Sequence, residues 1–264
     1  MESLHGKHAL VTGAGSGIGK ATAIALALSG ASVTVHYAHN ATGAEAVVTT
    51  IREMGGTSFA VQADLSQRSS ISRLHQIAVG QYGHIDILVN NAGIGALHTV
   101  DRITDISETD WDKVMEVNVT APALLCKLVL PEMVEHRSGA IVNISSIRGM
   151  LGNPTLSVYC TSKGALTLLT RQLACDYSPF NIRVNCICPG FVASEMFKSY
   201  VEKQEDPEGA LATFASMAPL NRVGLPEEIA KVVVFFASEA ASFIKGVVFP
   251  VDGGYTATGI RRVL

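Results

Sequence analysis

Tyr159 and Lys163 stand four residues apart in Tyr159-Cys160-Thr161-Ser162-Lys163, a spacing that sets a phenol and an ammonium on one face of a helix. A phenol titrates near pH ~10, too high for an efficient base at neutrality, and a neighbouring cation lowers that value by favouring the phenolate. The pair reads as a proton-transfer device. A second device lies near the start of the chain, in Thr12-Gly13-Ala14-Gly15-Ser16-Gly17-Ile18-Gly19. Gly13 suits a tight turn, Gly17 lets a pyrophosphate approach the backbone, and Gly19 permits close packing of helix on strand, while the first helix amides face the anion. Proton transfer beside a dinucleotide cradle suits hydride chemistry, in which a nicotinamide carries the hydride.

Sites selective for NAD place an acid at the end of the second strand, about 20 residues after the glycines, where it accepts from the ribose hydroxyl. Here that window reads Val35-His36-Tyr37-Ala38-His39-Asn40, and the first acid afterwards is Glu45. NADP(H) is therefore favoured over NAD(H), with only the histidines to supply charge to the extra ribose phosphate.

Both devices need a scaffold. Apolar runs of strand length alternate with helix-period segments, a pattern that predicts a doubly wound parallel sheet of the Rossmann type, an α/β fold. Strands are expected at residues 8–11, 32–36, 58–61, 85–89, 140–144, 182–187 and 246–249, with helices at 18–29, 41–54, 67–82, 108–136 and 157–177. No linker, charge block or internal repeat divides the chain, so a single domain, 1–264, is expected. The stretch from 191 to 223 breaks the rhythm and reads as a helical lid near 191–223.

Composition narrows the partners. Of 264 residues, 48% are hydrophobic and 16% charged, and the net charge of −3 leaves no basic field for nucleic acid or an anionic membrane. A small-molecule substrate is the expected partner, and the apolar excess predicts a homo-oligomer, a tetramer. The charge-free run from Ala21 to Ala44 is interrupted by Ser29, Gly30, Ser32, Thr34, His36 and His39, and so fails as a membrane span. The opening Met-Glu-Ser-Leu-His-Gly-Lys lacks the layout of a signal peptide, so a cytoplasmic location is expected. The five cysteines form no Cys-x-x-Cys pair and the histidines no His-x-x-x-His pair, which argues against a metal site and leaves buried or half-buried free thiols as the expectation.

With Asn90-Asn91-Ala92-Gly93 after the fourth strand, Ser145-Ser146 after the fifth, Pro189-Gly190 after the sixth and Val251-Asp252-Gly253-Gly254-Tyr255 at the close, the chain resembles the short-chain dehydrogenase/reductase family, in particular its ketoreductases. The resemblance implies roles residue by residue. Tyr159 matches the family's proton donor or acceptor, Lys163 its partner, Ser146 the group that holds the substrate oxygen, and Asn118 the asparagine of a water relay, with Ser145 structural. It further implies cofactor contacts at Gly13, Ser16, Gly17, Ile18, Gly19, Tyr37, Asp64, Leu65, Asn91, Gly93, Pro189, Gly190, Val192 and Ser194. Ser194 stands where the family usually has threonine, which keeps the hydroxyl. Asp64 matches the adenine contact, and Lys163 also matches the ribose contact.

The expected reaction interconverts a ketone and a secondary alcohol. Phe191, Met196, Phe197, Tyr200, Met150 and Leu151 suggest an apolar wall for a ring or a medium-sized carbonyl compound. A catalytically silent dinucleotide-binding scaffold and an NAD-dependent sugar or alcohol dehydrogenase are the rival readings. The intact Ser146-Tyr159-Lys163 set argues against the first. Arg148, two residues past Ser146, is read as a surface ion-pair residue, with contact to a carboxylate or polar oxygen of the substrate as the alternative.

Overall fold

Runs of aliphatic and β-branched residues form a seven-stranded, all-parallel sheet in the order β3-β2-β1-β4-β5-β6-β7. The strands are β1 His8–Val11, β2 Ser32–Tyr37, β3 Thr57–Gln62, β4 Ile87–Asn90, β5 Gly139–Ile144, β6 Ile182–Pro189 and β7 Val248–Val251. Their continuous burial, unbroken in β1, β4, β5 and β6, is what a parallel sheet covered on both faces requires. The computed structural model describes residues 3–95 and 102–258.

Helices α1 Gly17–Leu28 and α2 Ala41–Glu53 share one core with the sheet through Ala23, Leu26, Val47 and Ile51. Helices α3 Arg68–Tyr82, α4 Glu108–Met115, α5 Ala121–His136 and α6 Ser157–Tyr177 follow, and α3, α5 and α6 build the opposite core through Leu74, Leu125, Met133 and Ala174. Two short helices, α7 Glu195–Val201 and α8 Pro207–Ser216, fill the stretch read as a lid. The run Glu108–His136 is long and apolar enough to cross a bilayer by composition, and half of its most apolar window is buried within the fold, as in a core helix.

Strand β4 begins at Ile87 rather than 85, and three further features depart from the expected elements. Helix α9 Pro226–Ala237 lies outside every expected helix, although Pro226 at its first position, Glu227 and Glu228 in its first turn and Ile229, Val233 and Phe236 on its buried side all mark it. It packs against α1 and completes the first core. Strand β7 begins at Val248 rather than 246, because Gly246 turns at φ +74°. The helix expected over 108–136 is interrupted by a π turn at Glu116–Thr120. Pro122 has no N–H to give the Asn118 carbonyl, so a regular α-helix cannot run through this point unbroken. Cys175 is exposed, where a buried or half-buried thiol was expected.

Candidate active site and cofactor cleft

The strand order reverses between β1 and β4, and in such sheets the crevice beyond the strand ends there takes the ligand. Gly13 turns at φ +64°, and a Cβ there would stand 3.0 Å from Ala92 Cα, so the loop after β1 lies hard against the loop after β4. Asn91 ties the two together, its Nδ2 donating to the Thr12 and Gly13 carbonyls at 2.8 and 3.2 Å and its backbone N–H to Thr12 Oγ1 at 2.9 Å. Ser16, the residue before α1, makes no side-chain cap, which leaves the first-turn amides of α1 to another acceptor. A Cβ on Gly17 would lie 3.1 Å from a carboxylate oxygen of Glu195, so this helix end already faces an anionic group.

His36 pins the same loop from β2. Its Nδ1 accepts the Gly13 N–H at 3.1 Å and its Nε2 bonds the Ala63 carbonyl at 3.0 Å, an arrangement that fits a neutral ring protonated at Nε2. Burial pushes its pKa down from 6.5 to about 4, against a smaller opposing effect of the Ala63 carbonyl. This corrects the expectation that the histidines serve the ribose phosphate, because His36 is uncharged at neutral pH and spent on the backbone. Of the two histidines in that window only His39 is exposed, and Tyr37 is half-buried. Because the native pKa is depressed, acid protonates the unfolded state first, and the contribution of His36 is lost as pH falls from about 6.5 toward 4. Between pH ~7 and ~4.5 we expect roughly 2 to 3 kcal/mol of stability to go by this route. His36→Gln should remove that part of the acid sensitivity in urea titrations, and an unchanged pH slope would refute the assignment.

Of the other positions expected to meet the cofactor, Asp64 and Leu65 follow the carboxyl end of β3, and Gly190, Val192 and Ser194 that of β6. Asp64 Oδ1 accepts the Ser66 N–H at 2.9 Å and hydroxyl at 2.8 Å, bonds that hold its carboxyl below the usual range, and Leu65 is buried beside it. Gly190 allows the chain to pass Asp252, and Pro189 ends β6 in register with Val251. Val192 is buried and bridges to Gly224. The Ser194 hydroxyl caps α7 by accepting from Phe197 N–H at 3.3 Å.

Tyr159 and Lys163 share one face of α6, with Lys163 Nζ 5.9 Å from the Tyr159 ring centroid. Lys163 is buried and donates to the Ile144 carbonyl at 2.9 Å, leaving two of its three N–H groups unspent. Gly93 keeps the space beside it open, since a Cβ there would lie 3.3 Å from Nζ. Burial pushes the Lys163 pKa down to about 8. Burial raises the Tyr159 pKa above the ordinary phenol value, with the Ser146 hydroxyl and the Arg148 guanidinium drawing it part of the way back. The lowering expected of the ammonium together with a cationic nicotinamide concerns the cofactor-bound site, and in the cofactor-free site burial sets the direction. Lys163 stands 5.9 Å from the ring and is itself tied to the Ile144 carbonyl.

Asn118 sits in the π turn and straps the loop after β4. Its Oδ1 accepts from Ile94 N–H at 2.8 Å, and its Nδ2 donates to the Ile94 carbonyl at 2.9 Å and to Ser162 Oγ at 3.0 Å. The side chain is fully used by these bonds, and Pro122 has no N–H to offer the Asn118 backbone carbonyl. Ser145 donates to the Lys163 carbonyl at 2.9 Å and is structural, as expected. A buried ladder escapes the sequence reading: Asn90 Nδ2 donates to Asn143 Oδ1 at 2.8 Å, and Asn143 Nδ2 to Thr170 Oγ1 at 2.9 Å, keying α6 to β4 and β5. Its signal is the two asparagines inside otherwise apolar strands.

A family description, enoyl-(acyl carrier protein) reductase, matches residues 13–256. An uncharacterized oxidoreductase of Thermotoga maritima is 40% identical over 255 residues, covering 97% of this chain and 99% of its own. The chain belongs to the short-chain dehydrogenase/reductase family. A Synechocystis relative named 3-oxoacyl-[acyl-carrier-protein] reductase is 38% identical, covering 96% of this chain and 98% of its own. Among solved structures, a Beutenbergia cavernae member provisionally assigned as an NAD(P)-dependent gluconate 5-dehydrogenase, with NADP bound at low occupancy, superposes with TM-score 0.89 at 34% identity, covering 97% and 99% of the two chains. The protein is therefore an oxidoreductase of this family, acting on CH–OH groups with NAD(P). The uncapped α1 amides, the free N–H groups of Lys163 and the glycine approaches fit that dinucleotide.

Proposed function

We propose that the protein is an NADP(H)-dependent reductase of ketones, and in reverse a dehydrogenase of secondary alcohols. The observation that carries this reading is Tyr159 on one face of α6 with buried Lys163, whose Nζ stands 5.9 Å from the Tyr159 ring centroid, and with the Ser146 hydroxyl acting on the phenol. The bound nicotinamide supplies the hydride. Ser146 holds the carbonyl oxygen, and Tyr159 delivers the proton to it. A phenol kept neutral by burial is the form suited to giving a proton, so the resting site favours reduction. Asn118 completes a water relay that resupplies the proton, and Lys163 holds the ribose.

Gly13, Ser16, Gly17, Ile18 and Gly19 cradle the pyrophosphate, Asn91, Gly93, Pro189 and Gly190 follow the cofactor's length, Asp64 and Leu65 meet the adenine, and Val192 and Ser194 meet the nicotinamide amide. NADP(H) is preferred because no acid stands at the end of β2 to repel the extra phosphate. A panel of ketones assayed with NADPH and NADH in parallel tests the reading. NADPH should be oxidised faster, and tighter direct binding of NADH would overturn the cofactor choice. Tyr37→Asp should reverse the preference by about tenfold, because the new carboxylate accepts from a ribose diol and repels a phosphate.

A further inference from the structure

Arg148 was expected to form a surface ion pair, and the structure places it elsewhere. Among the described residues, Arg68, Arg183 and Arg222 each meet a carboxylate, at Glu116, Glu239 and Glu228. No carboxylate of the described residues lies within 4.0 Å of Arg148. Its guanidinium stands instead over two rings, 5.7 Å from the centroid of Phe191 and 5.5 Å from that of Tyr255. The two rings meet edge to face at 5.7 Å. Its Nη1 donates to the Tyr255 hydroxyl at 3.4 Å, its one side-chain hydrogen bond among the described residues.

This position is fixed from below. Ser146 caps the short turn Ile147–Gly149 by accepting the Arg148 N–H at 3.1 Å, so the hydroxyl proposed to hold the substrate oxygen also sets where the arginine begins. Arg148 is close enough to the Tyr159 hydroxyl to act on its charge. Aromatic faces stabilise a guanidinium without neutralising it or occupying the N–H groups in its plane. A half-buried cation, braced on Phe191 and Tyr255 with most of its five donors unspent, lacks a planar acceptor of opposite charge.

We infer that Arg148 selects the substrate, receiving a carboxylate borne by the carbonyl compound whose oxygen lies at Ser146 and Tyr159. The inference rests on the ketone-reductase reading and narrows it to oxo acids and the corresponding hydroxy acids. A carboxylate supplies two in-plane oxygens to the guanidinium fork, while the Phe191, Phe197 and Phe214 cluster offers an apolar wall for the carbon skeleton.

The test uses 4-oxopentanoate, 5-oxohexanoate and 6-oxoheptanoate, each with its methyl ester, so that spacing and charge vary separately. Parent, Arg148→Met and Arg148→Lys are compared by kcat/KM, and the same acids are titrated calorimetrically into the NADP-loaded protein. For at least one spacing the parent should prefer the acid by about tenfold or more, and Arg148→Met should bring the acid-to-ester ratio close to one. Arg148→Lys should recover part of the ratio, since the charge remains while the fork is lost. Equal use of acid and ester by the parent overturns the inference, and so does an Arg148→Met ratio equal to the parent's, which would make Arg148 only a brace for the two rings. If no compound is reduced, the reductase reading fails and calorimetry decides on Arg148. Acid binding lost in Arg148→Met sustains its role, and no acid binding at any spacing refutes it.

Discussion

Tyr159→Phe should lower turnover by about two orders of magnitude or more, the range set by loss of a positioned general acid, while dinucleotide binding and the melting temperature stay near the parent's. The substitution keeps the ring in α6 and removes one oxygen. The Ser146 hydroxyl beside that oxygen still accepts the Arg148 N–H when the phenol is gone. Little of the fold therefore depends on it, and the loss falls on proton transfer. The pH profile sharpens the expectation. Burial holds the phenol protonated through neutrality, so reduction should be sustained to alkaline pH, whereas alcohol oxidation, which needs the phenolate, should rise as pH increases. A folded, cofactor-saturated Tyr159→Phe that reduces a ketone at the parent rate would sink the proton-transfer assignment and reopen the silent-scaffold reading.

The positions that could be read from the sequence are those where a backbone or spacing constraint leaves one residue type. Gly13 and Gly17 carry positive φ, and the i,i+4 spacing of Tyr159 and Lys163 survives intact in α6. The strand pattern was legible for the same reason, since a parallel sheet covered on both faces demands continuous apolar runs. What escaped was set by contacts across long sequence distances. His36 looks like a candidate phosphate ligand until Gly13, 23 residues away, is seen to donate to it. Asn118 is legible through the resemblance alone, within a run read as one helix, and the π turn around it depends on Pro122 and on the loop at Ile94. Arg148 reads as a surface charge because its two aromatic supports lie at Phe191 and Tyr255, far along the chain. Helix α9 differs, since its start signals were present in Leu225-Pro226-Glu227-Glu228, directly after a stretch whose irregularity masked them.

Lys163→Met should cost turnover about a hundredfold and weaken dinucleotide binding, yet leave the cofactor-free protein at least as stable as the parent. A buried ammonium whose pKa is lowered from 10.5 to about 8 is one the fold disfavours in its charged form. With the native value below the unfolded one, the unfolded chain binds the extra proton between these limits, so stability rises with pH through that window and the charge costs roughly 3 kcal/mol at neutrality. Methionine fills much the same volume without that cost, although the Ile144 carbonyl loses its donor. Binding should show the opposite pH trend. Below pH about 8 the ammonium is present to meet the ribose and the adjoining phosphates, and parent affinity should be level there. Above that value affinity should decline, because the free protein must first take up a proton. Fluorescence titration of NADPH across pH ~6.5 to ~9.5 separates the cases. The parent curve should bend near pH 8 and the Lys163→Met curve should not. A bend shared by both proteins would assign the titration to another group, and a melting temperature of the cofactor-free variant well below the parent's would show that Lys163 serves the fold rather than the site.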